Sequence, residues 1–294
     1  MKRYLTLIAA VLTAAALTVH WTSEARAQTL IAFVSSSGNN ANDCLTPATA
    51  CRTLGGALAK TVDGGTIQCV DAGSFGGVSV NISVTIDCLA GGGAANTQQI
   101  FIDAPGKTVI LRNIAINGFH ANLPIVAIQA AASVYIENAL VGGSAGNSQA
   151  IRDVRAGPAK LVISNSSIVN NPGVGILVAP ASGVIGVELD HVRSAYNTYG
   201  LAVASGGRVM IKNSVFTGNS IAGIQADGGA TVSVGATEVS YNATGIGANG
   251  TVMLSNASIN SNSLAINGPT QSLGNNLIFA NSIDGTTPTI VSPR

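Results

Sequence analysis

Apolar and polar residues alternate along short stretches of this chain, and the stretches repeat one another. Val109-Ile110-Leu111-Arg112-Asn113, Val134-Tyr135-Ile136-Glu137-Asn138, Leu161-Val162-Ile163-Ser164-Asn165, Val209-Met210-Ile211-Lys212-Asn213 and Val252-Met253-Leu254-Ser255-Asn256 share the form aliphatic-x-aliphatic-x-Asn. An aliphatic or aromatic residue stands three positions on, at Ile116, Val141, Ile168, Phe216 and Ile259. A further Asn often follows six after the first, at Asn171, Asn197, Asn219, Asn242, Asn262 and Asn281. Then come a small residue and an aliphatic one, such as Gly175-Ile176 or Gly200-Leu201, and a turn such as Ser205-Gly206-Gly207.

Period-two alternation predicts strands, with Val134 and Ile136 pointing inward and Tyr135 and Glu137 outward. Each unit holds three short strands. The anchors Cys69, Cys88, Asn113, Asn138, Asn165, His191, Asn213, Ala236, Asn256 and Asn275 recur at intervals of roughly 19 to 27 residues, the length of one solenoid unit. No unit can bury its inner face alone. Stacked at about 4.8 Å, ten or so coils make a continuous aliphatic core and a rod roughly 48 Å long. The expected fold is therefore all-β, a right-handed parallel β-helix of about ten coils. Leucine-rich repeats need a regular leucine series that is missing here, and β-propellers need aromatic blade signatures where aromatics are only 4%.

The anchor column Asn113, Asn138, Asn165, His191, Asn213, Asn256 and Asn275 is expected to form an inward ladder, its side chains bonding turn backbone and the equivalent residue one coil away. His191 is accordingly expected to be an inward histidine. The open strand edges at the rod's ends need covering. Residues 50–60, with Leu54 and Leu58 on one helical face after Pro47, are expected to cap the N-terminal end, and residues 283–291 to cover the last coil only in part.

The chain start changes the picture of location. Lys2 and Arg3, an apolar run from Leu5 to Val19 and the exit Ala25-Arg26-Ala27 read as a secretory signal peptide, cut before Gln28. About 15 apolar residues fall short of the roughly 20 that a membrane-crossing helix needs, and no second such run follows. The expected division is residues 1–27 as signal peptide, 28–62 as N-terminal strand and capping helix, and 63–294 as β-helix, in a protein secreted or held in the periplasm. Charged residues are 9% of the chain and net charge is +1, which leaves no basic stripe for nucleic acid. Hydrophobic residues, at 47%, argue against disorder.

Cys44, Cys51, Cys69 and Cys88 in an exported chain suggest two disulfides. Cys44 and Cys51 close a short loop before the capping helix, whereas Cys69 and Cys88 hold one template column in successive coils, within bonding range at about 4.8 Å. Zinc is the alternative, but no histidine lies among them and no C-x-x-C pair occurs. No metal or other cofactor is expected.

The Asn-anchored coils, the opening Phe33-Val34-Ser35, the cysteine pair before Leu54-Gly55-Gly56-Ala57 and the late Leu273-Gly274-Asn275-Asn276 resemble bacterial secreted right-handed parallel β-helix repeat proteins of the pectin-lyase-like superfamily, in an uncharacterised branch. The resemblance covers roughly Cys69 to Asn281. It implies the fold, and it implies no one activity, because that superfamily holds lyases, hydrolases, esterases, epimerases, adhesins and proteins without known chemistry.

The motifs of its hydrolases, an Asp-Asp pair, Gly-His-Gly and Arg-Ile-Lys, do not occur here. The mature part's dozen or so acidic residues are too dispersed for a calcium site of the lyase kind. Register places Arg112 beside Glu137 and Asp190 beside Lys212 on the outer face, and Glu188 joins the second pair. Glu188, Asp190 and Lys212 are thus the densest charged group, read either as a sugar-binding or acid-base patch or as surface ion pairs of about 0.2–1 kcal/mol each. Tyr196 and Tyr199, flanking Asn197, are candidate sugar-stacking residues, and His120 sits in a loop without a motif. The expected role is a non-catalytic binding or structural protein for extracellular or cell-envelope polysaccharide. The alternatives are a polysaccharide lyase or glycoside hydrolase with a divergent site, and an adhesin-like rod.

Overall fold

The computed structural model describes residues 28–292 apart from 90–93, 97–98, 119–122, 145 and 147. The expected signal peptide and His120 lie outside the described residues. The chain winds into an all-β, right-handed parallel solenoid of about nine turns with three faces. Every strand pairing is parallel and joins a strand to its equivalent one turn away.

On the first face, Ile67, Ile86, Leu111, Ile136, Ile163, Leu189, Ile211, Val234 and Leu254 stand in one register column through successive turns. All are buried. Burying one such side chain contributes about 1.5–3 kcal/mol, so the aliphatic repeat stabilises each turn against its neighbours. The second face stacks Ile116, Val141, Ile168, Ser194, Phe216, Val239 and Ile259. The third stacks Ile102, Ile128, Asp153, Val178 and Val203.

Asp153 is a carboxylate in an aliphatic column, and it is fully buried. Arg155 answers it. The guanidinium donates to both carboxylate oxygens, Nε to Oδ1 at 2.8 Å and Nη2 to Oδ2 at 2.6 Å. Nη1 and Nη2 also donate to the carbonyls of Ala131 and Lys160, each at 3.1 Å. Four of the five guanidinium N–H groups thus have partners, and this pairing is what makes burial of the two charges tolerable.

The anchor column behaves differently from its expected inward ladder. Asn113, Asn138, Asn165, His191, Asn213, Ala236 and Asn256 all take left-handed backbone, φ 46–54°, at the corner between first and second faces. A left-handed residue breaks the alternation, so the side chain turns outward. Of these residues all but the half-buried Asn113 are exposed. Asn is favoured here because its short polar side chain tolerates this backbone. A partial external ladder remains, with Asn138 Nδ2 donating to Asn113 Oδ1 at 2.8 Å and Asn275 Nδ2 to Asn256 Oδ1 at 2.9 Å.

The buried ladder is the other Asn column. Asn171, Asn197, Asn219, Asn242 and Asn262 are each at most 3% exposed. Each Oδ1 from Asn197 to Asn262 accepts the backbone N–H of the Asn one turn before, at 2.9–3.1 Å. The small residue of the template makes room for it: a Cβ on Gly175, Gly200, Gly223 or Gly245 would fall within 2.8–3.0 Å of a ladder Nδ2.

At the N-terminal end the capping helix, α1, spans only Leu54–Leu58, after a 3₁₀ turn at Pro47–Thr49. Thr53 caps it by accepting the Gly56 N–H, and Leu54, Ala57 and Leu58 are buried. The chain around it is held by the Cys44–Cys51 disulfide, and Cys69–Cys88 joins successive turns, with Cα separations of 5.1 and 4.5 Å. At the other end, Ile283–Gly285 and Thr289–Ile290 continue the third and first faces as strands rather than forming a lid. Ile283 and Ile290 are exposed.

Candidate functional site

The outer surface of the first face carries most of the candidate chemistry. Three outward columns run along it: Ser133, Lys160, Gly186, Arg208, Thr231; then Tyr135, Val162, Glu188, Met210, Ser233; then Glu137, Ser164, Asp190, Lys212, Gly235. Where Gly186 contributes no side chain, the face dips into a shallow groove of about 380 Å³. Lys160 and Arg208 stand on either side of Gly186, two strand steps or about 10 Å apart. Glu188 and Met210 line the groove as well, and Met210 is half exposed. Lys160 also lies 5.8 Å from the centre of the Tyr135 ring.

The structure brings Glu188, Asp190 and Lys212 together at the groove's edge. Lys212 Nζ lies 2.8 Å from Glu188 Oε1 and 4.0 Å from Asp190 Oδ2, so the diagonal partner wins over the one directly opposite. Asp190 instead accepts from Asn213 Nδ2 at 3.0 Å, and His191 Nδ1 lies 2.9 Å from the same oxygen. His191 is therefore a surface residue, corrected from the inward position expected of it. Arg112 is likewise in register with Glu137, but its ion pair runs to Asp87 on the other side, at 3.4 Å.

The Asn213 hydrogen bond, with His191 and Lys212 adding attraction, holds the Asp190 carboxyl below its usual range. The hydrogen bond to Glu188, with the charges of Glu188 and Asp190, raises Lys212. Asp190's lowered value contributes stability above its reference of 3.8, lost as pH falls through the folded midpoint. Lys212's raised value contributes below 10.5, lost as pH rises through its own midpoint. Both residues thus keep their charges across the neutral range. We expect a carbon-detected NMR titration to place the Asp190 midpoint below 3.8; a midpoint above it would contradict the hydrogen-bonding scheme. A general acid working near neutral pH needs the opposite shift.

His191→Asn is expected to change stability by less than about 0.5 kcal/mol, as for surface substitutions generally. The side chain is 61% exposed and the backbone φ of 54° suits Asn. Thermal melts check this, and a loss above about 1 kcal/mol would assign His191 a larger role.

The two tyrosines are not brought together. Tyr199 starts a third-face strand, between Val174 and Ala222. Tyr196 sits at the corner between second and third faces, 57% exposed, in left-handed backbone with φ 57°. The residue that shares its column is Tyr241, 68% exposed with φ 56°. Its signal is plain in the sequence: Tyr196 and Tyr241 each immediately precede a buried-ladder residue, Asn197 and Asn242. Among the described residues no group of His, Cys, Asp and Glu is placed to hold a metal ion.

Two solved structures are similar to this one. One, described as the crystal structure of pectate lyase Pel9A, is 12% identical over 91% of this chain and 79% of that chain, with a TM-score of 0.49. The other, the Azotobacter vinelandii mannuronan C-5 epimerase AlgE6 A-module, is 11% identical over 79% of this chain and 92% of that chain, with a TM-score of 0.43. No family model and no curated protein matches the sequence.

Proposed function

We propose that this is an exported, non-catalytic binding protein for polysaccharide, which lies along the outer surface of the first face. The carrying observation is the open groove in which Lys160 and Arg208 flank the gap left by Gly186, beside Met210. Two cationic residues whose backbone positions are two strand steps apart suit an anionic chain laid along the rod, while the groove's shallow, open form suits a long ligand rather than an enclosed small one. Lys212, paired with Glu188, and the ionised Asp190 beside it serve as the groove's rim. Export is consistent with two disulfides, which persist in oxidising compartments.

The test is retention of the protein in native gels cast with an acidic polysaccharide such as polygalacturonate or alginate. Retention is expected, and Lys160→Ala with Arg208→Ala together should weaken it about tenfold or more at low salt, with the melting temperature unchanged. Retention that is indifferent to both substitutions would reject the groove as the site.

A further inference from the structure

A second feature stands apart from the charged groove, at the corner between the second and third faces. One register column there reads Asn170, Tyr196, Gly218, Tyr241, Ser261 and Ala280, each directly before an Asn of the second Asn column and each in left-handed backbone, with φ between 55° and 66°. For a bulky aromatic this backbone is unfavourable, and the usual occupants are Gly and Asn. Two tyrosines nevertheless occupy it, and neither is used by the core: they are 57% and 68% exposed. Burial in the core does not explain them.

Their arrangement does suggest a use. Tyr196 and Tyr241 are separated by the single turn that carries Gly218, so their Cα atoms stand about 10 Å apart along the rod. Gly218 is needed between them, because a Cβ there would come within 2.7 Å of Tyr196 Cε1; the ring leans over the glycine backbone. Arg193 braces Tyr196, its guanidinium 5.4 Å from the ring centre. The depression beside Tyr196 is lined by Asn170, Thr198 and Ser220. These side chains bear amide and hydroxyl groups and no formal charge.

We infer that Tyr196 and Tyr241 form a second glycan-binding site, a two-ring platform for the pyranose faces of an uncharged polysaccharide. Pyranose rings present C–H bonds on their faces, which the electron-rich face of an aromatic ring attracts. A spacing of two strand steps is close to the length of a disaccharide unit in an extended 1,4-linked chain, so alternate sugars meet successive tyrosines. The neighbouring amide and hydroxyl groups serve the sugar hydroxyls. The ligand class differs from that of the first-face groove, where cations select an anionic chain.

The test uses the full chain in native gels cast with neutral 1,4-linked polysaccharides, hydroxyethyl cellulose and galactomannan, beside gels with polygalacturonate. Wild type should be retarded by at least one neutral polymer. Tyr196→Ala and Tyr241→Ala should each weaken that retardation by roughly two- to tenfold, the range of a single aromatic contact, and together abolish it. Tyr196→Phe and Tyr241→Phe should retain it, because the ring and not the hydroxyl makes the contact. The Lys160→Ala, Arg208→Ala variant should lose polygalacturonate retention and keep the neutral one, so a failure of the groove and a failure of the platform read separately. No retardation in any neutral gel, retardation unchanged in the double tyrosine variant, or parallel loss of neutral and acidic retention in that variant would each overturn the assignment.

Discussion

Replacing Arg155 with methionine is expected to destabilise the solenoid by about 3–5 kcal/mol, the cost of leaving a buried carboxylate without its counter-charge. Asp153 is fully buried; both its oxygens accept from this guanidinium, and among the described residues Oδ1 accepts besides only the Arg155 backbone N–H at 3.3 Å. Asp153→Val alone should cost a similar amount, because Arg155 would then be a buried cation holding only the Ala131 and Lys160 carbonyls. Removing both charges at once should restore most of the loss. Asp153 sits in register with Ile128 and Val178, so a valine there completes the aliphatic column. Equilibrium urea unfolding of the two single variants and the double variant measures this. Single losses below about 1 kcal/mol would mean that the pair is hydrated or separated in solution.

Asn219→Ala is expected to cost about 3 kcal/mol, whereas Asn165→Ala should cost about 1 kcal/mol. The contrast separates the two Asn columns. Asn219 Oδ1 accepts the Asn197 N–H at 3.1 Å, and its Nδ2 donates to Asn242 Oδ1 at 2.9 Å and to the Ser194 carbonyl at 3.3 Å. Truncation leaves these buried groups without their side-chain partner. Asn165 is exposed, and alanine already occupies the same left-handed corner at Ala236. The same unfolding measurement decides it, and equal losses at the two positions would contradict the assignment of the buried ladder.

Strand register was legible because it depends on period two alone: Cys69 and Cys88, Asp190 and Lys212, and the Val209 and Ile211 core positions all stand where alternation puts them. What alternation does not reveal is the direction of a residue at a corner. Asn113 and its equivalents follow an outward position, and strict alternation would send them inward. Their left-handed backbone undoes that inference, and the residue types, Asn with one His and one Ala, were the available sign of it. The second Asn column was visible as a repeat, but its burial follows from the glycine beside it in three dimensions.

The site was legible in part. Glu188, Asp190 and Lys212 fall together because they occupy neighbouring columns, yet the pairing within the group depends on side-chain reach across a diagonal. Lys160 and Arg208 become neighbours only once Gly186 is seen as a gap between them. Arg152-Asp153-Val154-Arg155 matches no template strand, and nothing in its spacing shows that Arg155 folds back onto Asp153 inside the core.

Binding without turnover is most directly tested by incubating the protein with polygalacturonate and alginate, then following both retention and the polymer's chain length by size-exclusion chromatography, reducing-end assay and absorbance of unsaturated ends. The expected result is that wild type binds at least one of them and releases it at unchanged length, and that Asp190→Ala alters neither measurement. Shortening of either polymer by wild type, abolished in Asp190→Ala, would contradict a non-catalytic role and make the Glu188, Asp190 and Lys212 group an active site.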